Sequence, residues 1–272
     1  MTELPIENQQ NSAPFSEGEC YSADYILCRA LNIGEEILRC GGEPHRIEDT
    51  VTRICSAYGA VSTDVFALPS LIIASIRMAD GKQSSQVRRL YKTANDMFVL
   101  DRMNDLSRKV CGGIVALCDV DEKIKEIKNK KAYPKIVSYI GAILGAGGFA
   151  VFFGGSLYDA LAAALAGLVI TFFNLHKFSF INQMVHAVAV SFVGALAALL
   201  LIKLGLGDNP DMIMIGTIML LIPGLSFGNA VRDMLFGDTV SGLIQLVQAV
   251  LLAVTVAFGF AVAMMIFGGV KL

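Results

Sequence analysis

The spacing of apolar residues along the chain changes abruptly near Ile136. Before that position, apolar and polar residues alternate with the periods of amphipathic helices and half-buried strands. Beyond it, apolar runs reach about 20 residues, the length at which a helix crosses the roughly 30 Å hydrocarbon core of a bilayer. The pattern therefore predicts a soluble region followed by a membrane region.

The soluble region begins and ends with predicted helices. Apolar residues recur at helical spacing over 23–40, and Gly41-Gly42 ends that stripe. Glu43-Pro44 then starts a second helix, because proline suits a first helical turn, where its missing N–H has no partner. Helical periodicity returns at 95–110 and again from Val120. These helices flank a stretch with a different pattern.

Three strands are predicted between the two pairs of helices, at 61–68, 71–78 and 83–91. Asp80-Gly81 separates the last two and predicts a type I′ hairpin turn, which requires positive φ at both central residues. We therefore expect residues 20–135 to form a cytoplasmic α+β domain, preceded by a disordered tail over 1–19.

The membrane region predicts about five transmembrane helices, so the whole chain is expected to be an α-helical multi-pass membrane protein. Lysines between 123 and 135 precede the first span, and the positive-inside rule then places the N-terminal domain in the cytoplasm and Leu272 outside. The predicted spans are 136–153, 157–173, 185–204, 212–230 and 243–268.

Small residues in the first two predicted spans indicate close helix packing. Gly141 and Gly145 form a Gly-x-x-x-Gly step in the first span, and Ala163 and Gly167 repeat the spacing in the second, as do Ala160 and Ala164. Such spacing lets helix backbones approach each other in lipid, where no hydrophobic drive brings them together. The pattern predicts a packed bundle and does not identify a function.

Charge and cysteine content exclude several functional classes for this protein. Thirty-seven charged side chains precede residue 136 and nine follow residue 135, and the formal net charge is −2. The chain therefore lacks the basic field of a nucleic-acid-binding protein. The first 15 residues lack the charged start and apolar core of a signal peptide. Six cysteines without a Cys-x-x-Cys pair are interpreted as reduced packing residues, so no metal and no cofactor are expected.

Catalytic motifs are absent from the sequence: it has no nucleophile elbow, no His-Glu-x-x-His and no phosphate loop. We therefore predict no catalytic residues and no enzyme activity. The densest ionisable cluster contains Glu43, Arg46 and Glu48, with Asp49 and Arg53 spaced for an i,i+4 ion pair. It is interpreted as a charged helix face, and the alternative is the active site of a membrane-tethered hydrolase.

The fourth predicted span carries the strongest functional signal. Pro223-Gly224 interrupts its apolar run, and Asn229, Arg232 and Asp233 follow on one helical face, with Asp238 nearby. In a straight helix from Asp211, Pro223 would lie about 18 Å deep, near the midplane of the bilayer, and Arg232 about 32 Å deep. Broken helices at the midplane are typical of transporter binding sites, so these residues are predicted to line a substrate path.

Four further residues are secondary candidates for the path or for coupling. Asp159 lies near the start of the second span and His186 near the start of the third, and intramembrane ionisable groups are functional hypotheses by default. Asn174 and Asn182 lie on the linker between these spans. Neither Asp159 nor His186 is clearly central in its span, so both are interpreted first as boundary residues.

Two spaced motifs resemble those of one transporter family. The first is Gly42-Glu43-Pro44-His45-Arg46-Ile47-Glu48-Asp49-Thr50-Val51. The second runs from Ile222 to Asp233 and continues with Gly237-Asp238-Thr239-Val240-Ser241-Gly242. In this order, over about residues 20–270, they resemble the threonine/serine exporter (ThrE-like) family, in particular the large, YjjP-type subunit of its split form.

The resemblance implies a subunit of a secondary exporter that carries threonine, serine or a dicarboxylate such as succinate across the cell (inner) membrane. It also implies a smaller, YjjB-type membrane subunit as partner, within a complex whose oligomeric state stays open. Nucleic acid is not an expected partner. Two alternatives belong to other classes: the membrane-tethered hydrolase and a ligand-sensing membrane protein.

Overall fold

The computed structural model describes residues 21–91, 95–130, 133–176 and 182–267. These residues form two compact units, one comprising those up to 130 together with Asp233–Ser241, and the other comprising the remainder of 133–267. The predicted tail, Cys20 and Lys177 lie outside the described residues. We describe each unit by itself.

The first unit has the predicted order of two helices, a sheet and two helices. Its helices are α1 (Ala23–Arg39), α2 (Pro44–Ala57), α3 (Met97–Cys111) and α4 (Val120–Asn129), with a 3₁₀ turn at Leu117–Asp119 before α4. Side chains cap the starts of α1 and α3: Ser22 Oγ accepts from the backbone N–H of Tyr25, and Asp96 Oδ1 accepts from that of Val99. Pro44 occupies the first turn of α2, as predicted.

The sheet is antiparallel with the strand order β1 (Ala60–Leu68), β2 (Leu71–Met78), β3 (Gln83–Arg89). The hairpin between β2 and β3 is not the predicted type I′ turn, because Gly81 has a φ of 83° but no non-glycine residue in the described chain has positive φ. Gly81 N–H donates to Met78 O, and Met78 N–H to Lys82 O. This pattern is typical of a three-residue loop with glycine in the left-handed position.

One continuous core joins the helices and the sheet of the first unit. Helix α1 contributes more residues to it than any other element, because its apolar stripe is buried by α2 and the sheet. Two ion pairs, Arg29 with Asp121 and Lys128 Nζ with Glu36 Oε1 at 2.8 Å, hold α4 against α1. The fully buried large side chains of this unit are Ile26, Leu27, Leu31, Ile33, Ile37, Ile47, Ile54, Ile72, Met103 and Leu117.

The second unit is a helical bundle with enough apolar length to cross a membrane four or five times. Four helices qualify individually, and the helices Pro210–Met219 and Gly224–Leu235 form a fifth span if the two are counted together. This confirms the predicted class. The helices are α5 (Lys135–Phe152), α6 (Leu157–Leu175), α7 (Gln183–Lys203), α8 (Pro210–Met219), α9 (Gly224–Leu235) and α10 (Thr239–Phe267).

Small residues do pack the bundle, but only one of the two predicted glycines of α5 lies at a contact: a Cβ added to Gly145 would lie 3.0 Å from Leu220 Cδ2. A Cβ added to Gly141 would meet nothing within 4 Å, so this residue lies outside the contact. The buried stripe of α5 is displaced by one position from the predicted one at Gly141 and Gly145. It includes Ala146, Gly147 and Ala150. Gly167 of α6, which was predicted correctly, faces this stripe: a Cβ there would lie 3.0 Å from Ala146 Cβ.

Large apolar side chains cover the outside of the bundle. Residues such as Leu144, Leu165, Leu200, Leu251 and Phe258 are exposed within the chain. Alanines instead fill the interior, which includes Ala146, Ala162, Ala166 and Ala198. Small residues inside and large apolar residues outside are the arrangement expected when lipid is the solvent.

Candidate functional site

The predicted break in the fourth span is present and is sharper than expected. Helix α8 ends at Met219, α9 begins at Gly224, and their axes differ by 60°. The depth estimated for Arg232 assumed a straight helix and does not hold, because after the bend each residue of α9 advances only about half of its 1.5 Å rise along the direction of α8.

Space is available around the first turn of α9. Pro223 is half-buried and Gly224 is exposed, and a Cβ added at Gly224 or Gly228 would meet nothing within 4 Å. Pro223 O accepts a hydrogen bond from the N–H of Phe227 at 3.0 Å, so Pro223 starts α9. The break thus exposes a glycine backbone beside open space within the second unit.

The polar side chains predicted to share one face of α9 have different environments. Asn229 is half-buried and Arg232 exposed, both in the second unit. Asp233 is 2% exposed and belongs to the first unit, where the hydroxyl of Ser241 donates to its Oδ2 at 3.5 Å. Asp238 also belongs to the first unit and is half-buried. The six predicted path residues are therefore divided between the two units.

Asp159 is a fully buried capping residue. Its carboxylate accepts hydrogen bonds from the backbone N–H of Ser156 at 2.7 Å, of Asp208 at 2.7 Å and of Asn209 at 2.9 Å. Ser156 Oγ in turn accepts from the backbone N–H of Asp159, which completes a capping box at the start of α6. The carboxylate thereby joins the start of α6 to the loop that precedes α8, an arrangement that favours a structural role.

The other secondary candidates lie at the ends of α6 and α7. Asn182 caps α7, its Oδ1 accepting from the N–H of Met184 at 3.0 Å. His186 follows one turn later and is half-buried, and Asn174 lies half-buried in the last turn of α6. Residues 177–181 between them are outside the described chain. Asn182 therefore has a local structural role, and Asn174 and His186 remain candidates for the substrate path or for coupling.

The first sequence motif forms the start of α2, and its charged side chains diverge. Glu48 Oε1 accepts from the backbone N–H of Ala67 on β1 at 2.8 Å, whereas Arg46 is exposed and lines a surface cavity of about 390 Å³. The predicted Asp49–Arg53 ion pair is present. Arg46 makes no ion pair with a described residue. Arg46 and Glu48 do not share one site, so the hydrolase alternative gains no support from the geometry.

The structure brings together three residues that the sequence analysis did not combine. One potential ligand atom from each of His45, Glu48 and Asp238 lies within 4.8 Å of the other two, all within the first unit. Desolvation, and secondly the charge of Asp238, raise the pKa of Glu48, while the Ala67 N–H and His45 oppose the shift. The only signal in the sequence was that these residues belong to the two separate motifs.

Comparison with known proteins identifies the family. The model of a family described as "putative threonine/serine exporter" matches residues 29–267. The chain is 24% identical over 242 residues to the "probable succinate transporter subunit YjjP" of Klebsiella aerogenes, covering 85% of this chain and 90% of that protein. It is 21% identical over 245 residues to the "probable threonine/serine exporter" of Mycobacterium tuberculosis, covering 88% of this chain but only 46% of that protein.

No solved structure matches the chain. The family match nevertheless begins inside α1 and ends at the last residue of α10, so it includes both sequence motifs, the broken span and all the apolar helices. With its four or five candidate spans, this chain belongs to the putative threonine/serine exporter family and is a multi-pass membrane protein.

Proposed function

We propose that this chain is one subunit of a secondary exporter of small polar metabolites, with threonine, serine or a dicarboxylate such as succinate as the substrate class. The family match over residues 29–267 carries the proposal, because it extends through both units and not through a single shared motif. The two relatives are named for threonine and serine in one case and for succinate in the other. All three compounds carry at least one carboxylate.

The proposed substrate path lies at the break between α8 and α9. Pro223 and Gly224 provide an irregular backbone, which membrane proteins tolerate only where protein or a water-filled cavity surrounds it. Asn229 and Arg232 follow on α9 and supply an amide and a guanidinium group. Arg232 is the proposed carboxylate ligand, because its planar fork matches two carboxylate oxygens. Asp233 and Asp238 were predicted to receive a substrate ammonium or a proton, and that role stays a prediction.

A second membrane polypeptide is part of the proposal. The Klebsiella aerogenes relative is named as a subunit, and the chain spans about half of the length of the Mycobacterium tuberculosis relative. We propose that a smaller, YjjB-type subunit supplies the additional membrane helices. The chain alone should then give little export.

The proposed location is the inner membrane, with the first unit in the cytoplasm. Several lysines lie between residue 123 and the start of α5 at Lys135, and positive charge next to a first span favours the cytoplasmic side. Intracellular metabolites would then reach the exporter from the side that carries the first unit.

An efflux assay tests the proposal. Cells that lack the gene are loaded with labelled threonine or succinate, and the chain is returned with and without its smaller subunit. Arg232→Lys keeps the charge but removes the fork, so export should fall about tenfold or more, equivalent to about 1.4 kcal/mol, without loss of membrane insertion.

Lys203→Arg, a charge-conserving exchange at the end of α7, is the matched control and should export normally. If Arg232→Lys exports like the wild type while Arg232→Ala fails to insert, Arg232 is an interfacial anchor and the proposed path is wrong. If the wild-type pair exports none of these compounds, the proposed substrate class is wrong.

A further inference from the structure

Three side chains with metal-binding atoms converge at the start of α2. His45 and Glu48 lie one turn apart on α2, and Asp238 follows α9 by three residues. A ring nitrogen of His45 and one carboxylate oxygen from each acid lie within 4.8 Å of one another. Two of these residues are separated from the third by about 190 positions, so the fold and not local spacing creates the cluster.

The two carboxylates of the cluster are not paired with a lysine or an arginine of the described chain. Among the described residues, neither Glu48 nor Asp238 forms an ion pair with a lysine or arginine, and no hydrogen bond joins either carboxylate to His45. Oδ2 of Asp238 is shielded from solvent and has no hydrogen-bond partner. Leaving a buried carboxylate oxygen without a partner is costly unless a cation or donor compensates for it.

We propose that His45, Glu48 and Asp238 bind a divalent transition-metal ion, with Zn²⁺ as the best match. The centre of an equilateral triangle with sides of 4.8 Å lies about 2.8 Å from its corners, and zinc requires about 2.0–2.2 Å to nitrogen and oxygen ligands. Inward movements of at most about 0.6–0.8 Å per ligand would therefore complete the site. One imidazole and two carboxylates suit zinc, and manganese after it.

The three ligands are supported by their surroundings. Glu48 is oriented by the N–H of Ala67 through Oε1, and the His45 ring lies parallel to the Phe236 ring with centroids 6.5 Å apart. Asp238 follows Gly237, whose φ is 98°, and its own N–H donates to Asp233 O at 2.9 Å. Such supporting contacts keep metal ligands in position. His45 is exposed, which leaves room for water as a fourth ligand.

A metal ion at this position would fasten the segment Asp233–Ser241 to α2 within the first unit. That segment contains the end of α9 and the beginning of α10. Metal binding would therefore stabilise the connection between two helices of the chain, whether or not the exported compound is the one proposed above.

The inference is tested on the full chain, purified in detergent and freed of metal with a chelator. The chain is titrated with Zn²⁺ in competition with a chelating dye. Asp238→Asn keeps the shape of the side chain, and His45→Gln removes the imidazole. Each should weaken zinc binding at least tenfold. Asp101→Asn, at an exposed aspartate on α3 of the same unit, and His176→Gln, at an exposed histidine, are the matched controls and should bind like the wild type.

X-ray absorption spectroscopy on the zinc-loaded chain separates this site from the cysteines. The expected first shell contains nitrogen and oxygen at about 2.0–2.2 Å, whereas thiolate ligands would add sulfur at about 2.3 Å. Equal zinc affinity in Asp238→Asn, His45→Gln and both controls would overturn the proposal, as would a sulfur-containing shell or the absence of binding by the wild type. Failure of the export assay would leave these measurements unaffected.

Discussion

Gly216 on α8 is a position at which one added methyl group should disturb the membrane unit, because the atoms it would meet belong to α5. A Cβ there would lie 2.5 Å from Ala146 O, 2.9 Å from Ala150 Cβ and 3.0 Å from Ala150 N on α5. Two of these three atoms belong to the α5 backbone and cannot move by a change of rotamer. Gly216→Ala must therefore push α8 away from α5.

The size of the effect follows from these distances. Ordinary contact begins at 3.4 Å, so the helices must separate locally by about 0.9 Å in an interior that is close-packed. Overpacking of this kind costs about 1–3 kcal/mol. Exchanging glycine for alanine inside a helix returns about 0.5–1 kcal/mol through backbone entropy. A control variant is needed to separate the two contributions.

Gly141→Ala on α5 is that control, because its added Cβ would touch nothing within 4 Å. Both variants gain the same helix propensity, so the difference between them isolates the packing cost. Unfolding in mixed micelles of mild detergent and dodecyl sulfate should show Gly216→Ala less stable than Gly141→Ala by about 1–3 kcal/mol. If the two variants were equally stable, Gly216 would not pack against Ala146 and Ala150 of α5, and this assignment would be refuted.

Three further outcomes are expected. Asp159→Asn should lower the free energy of unfolding by about 1–3 kcal/mol in the same assay, because its amide group cannot accept from all the N–H donors that surround it; unchanged stability with lost transport would instead indicate a coupling role. Desolvation raises the pKa of Cys40 to about 11 and of Cys55 to about 12, and both thiols are buried. At pH 8 iodoacetamide should therefore modify exposed Cys118 and leave these two thiols unmodified in the folded chain, and peptide mass spectrometry should detect their labelling only after the chain is unfolded. A reporter fused after Leu272 should be active outside the cytoplasm, and activity only inside would contradict the five-span topology.

Local patterns were sufficient to predict most secondary structure. The expected strand 71–78 is β2, and the expected break at Pro223-Gly224 separates α8 from α9. Periodicity and proline chemistry act over a few residues and can be read from the sequence. The sequence does not show which side of α5 faces its neighbours, because alanine and glycine occur on all sides of this helix. Gly141 was therefore predicted to lie at the helix contact, whereas the structure places Gly147 there.

The candidate sites depend more than the secondary structure does on contacts between residues far apart in the sequence. The motif around Glu48 and the motif around Asp238 both carry the family resemblance, but nothing in either motif specifies that they meet. Asp159 was noted only as an ionisable residue near a span boundary, because its partners Asp208 and Asn209 lie in a loop 49 and 50 positions away. Tertiary contacts of this separation need the folded chain.

The buried carboxylate of Asp159 also constrains how the protein is synthesised. Two of its partners are about 50 residues downstream, and ribosomes add about 5–20 residues per second, so α6 emerges several seconds before the groups that complete its cap. During that interval the hairpin of α5 and α6 holds an incompletely bonded carboxylate at its turn. We expect the nascent hairpin to be a substrate for membrane quality control until α8 arrives, which makes translation speed between residues 160 and 210 a determinant of the yield of folded protein.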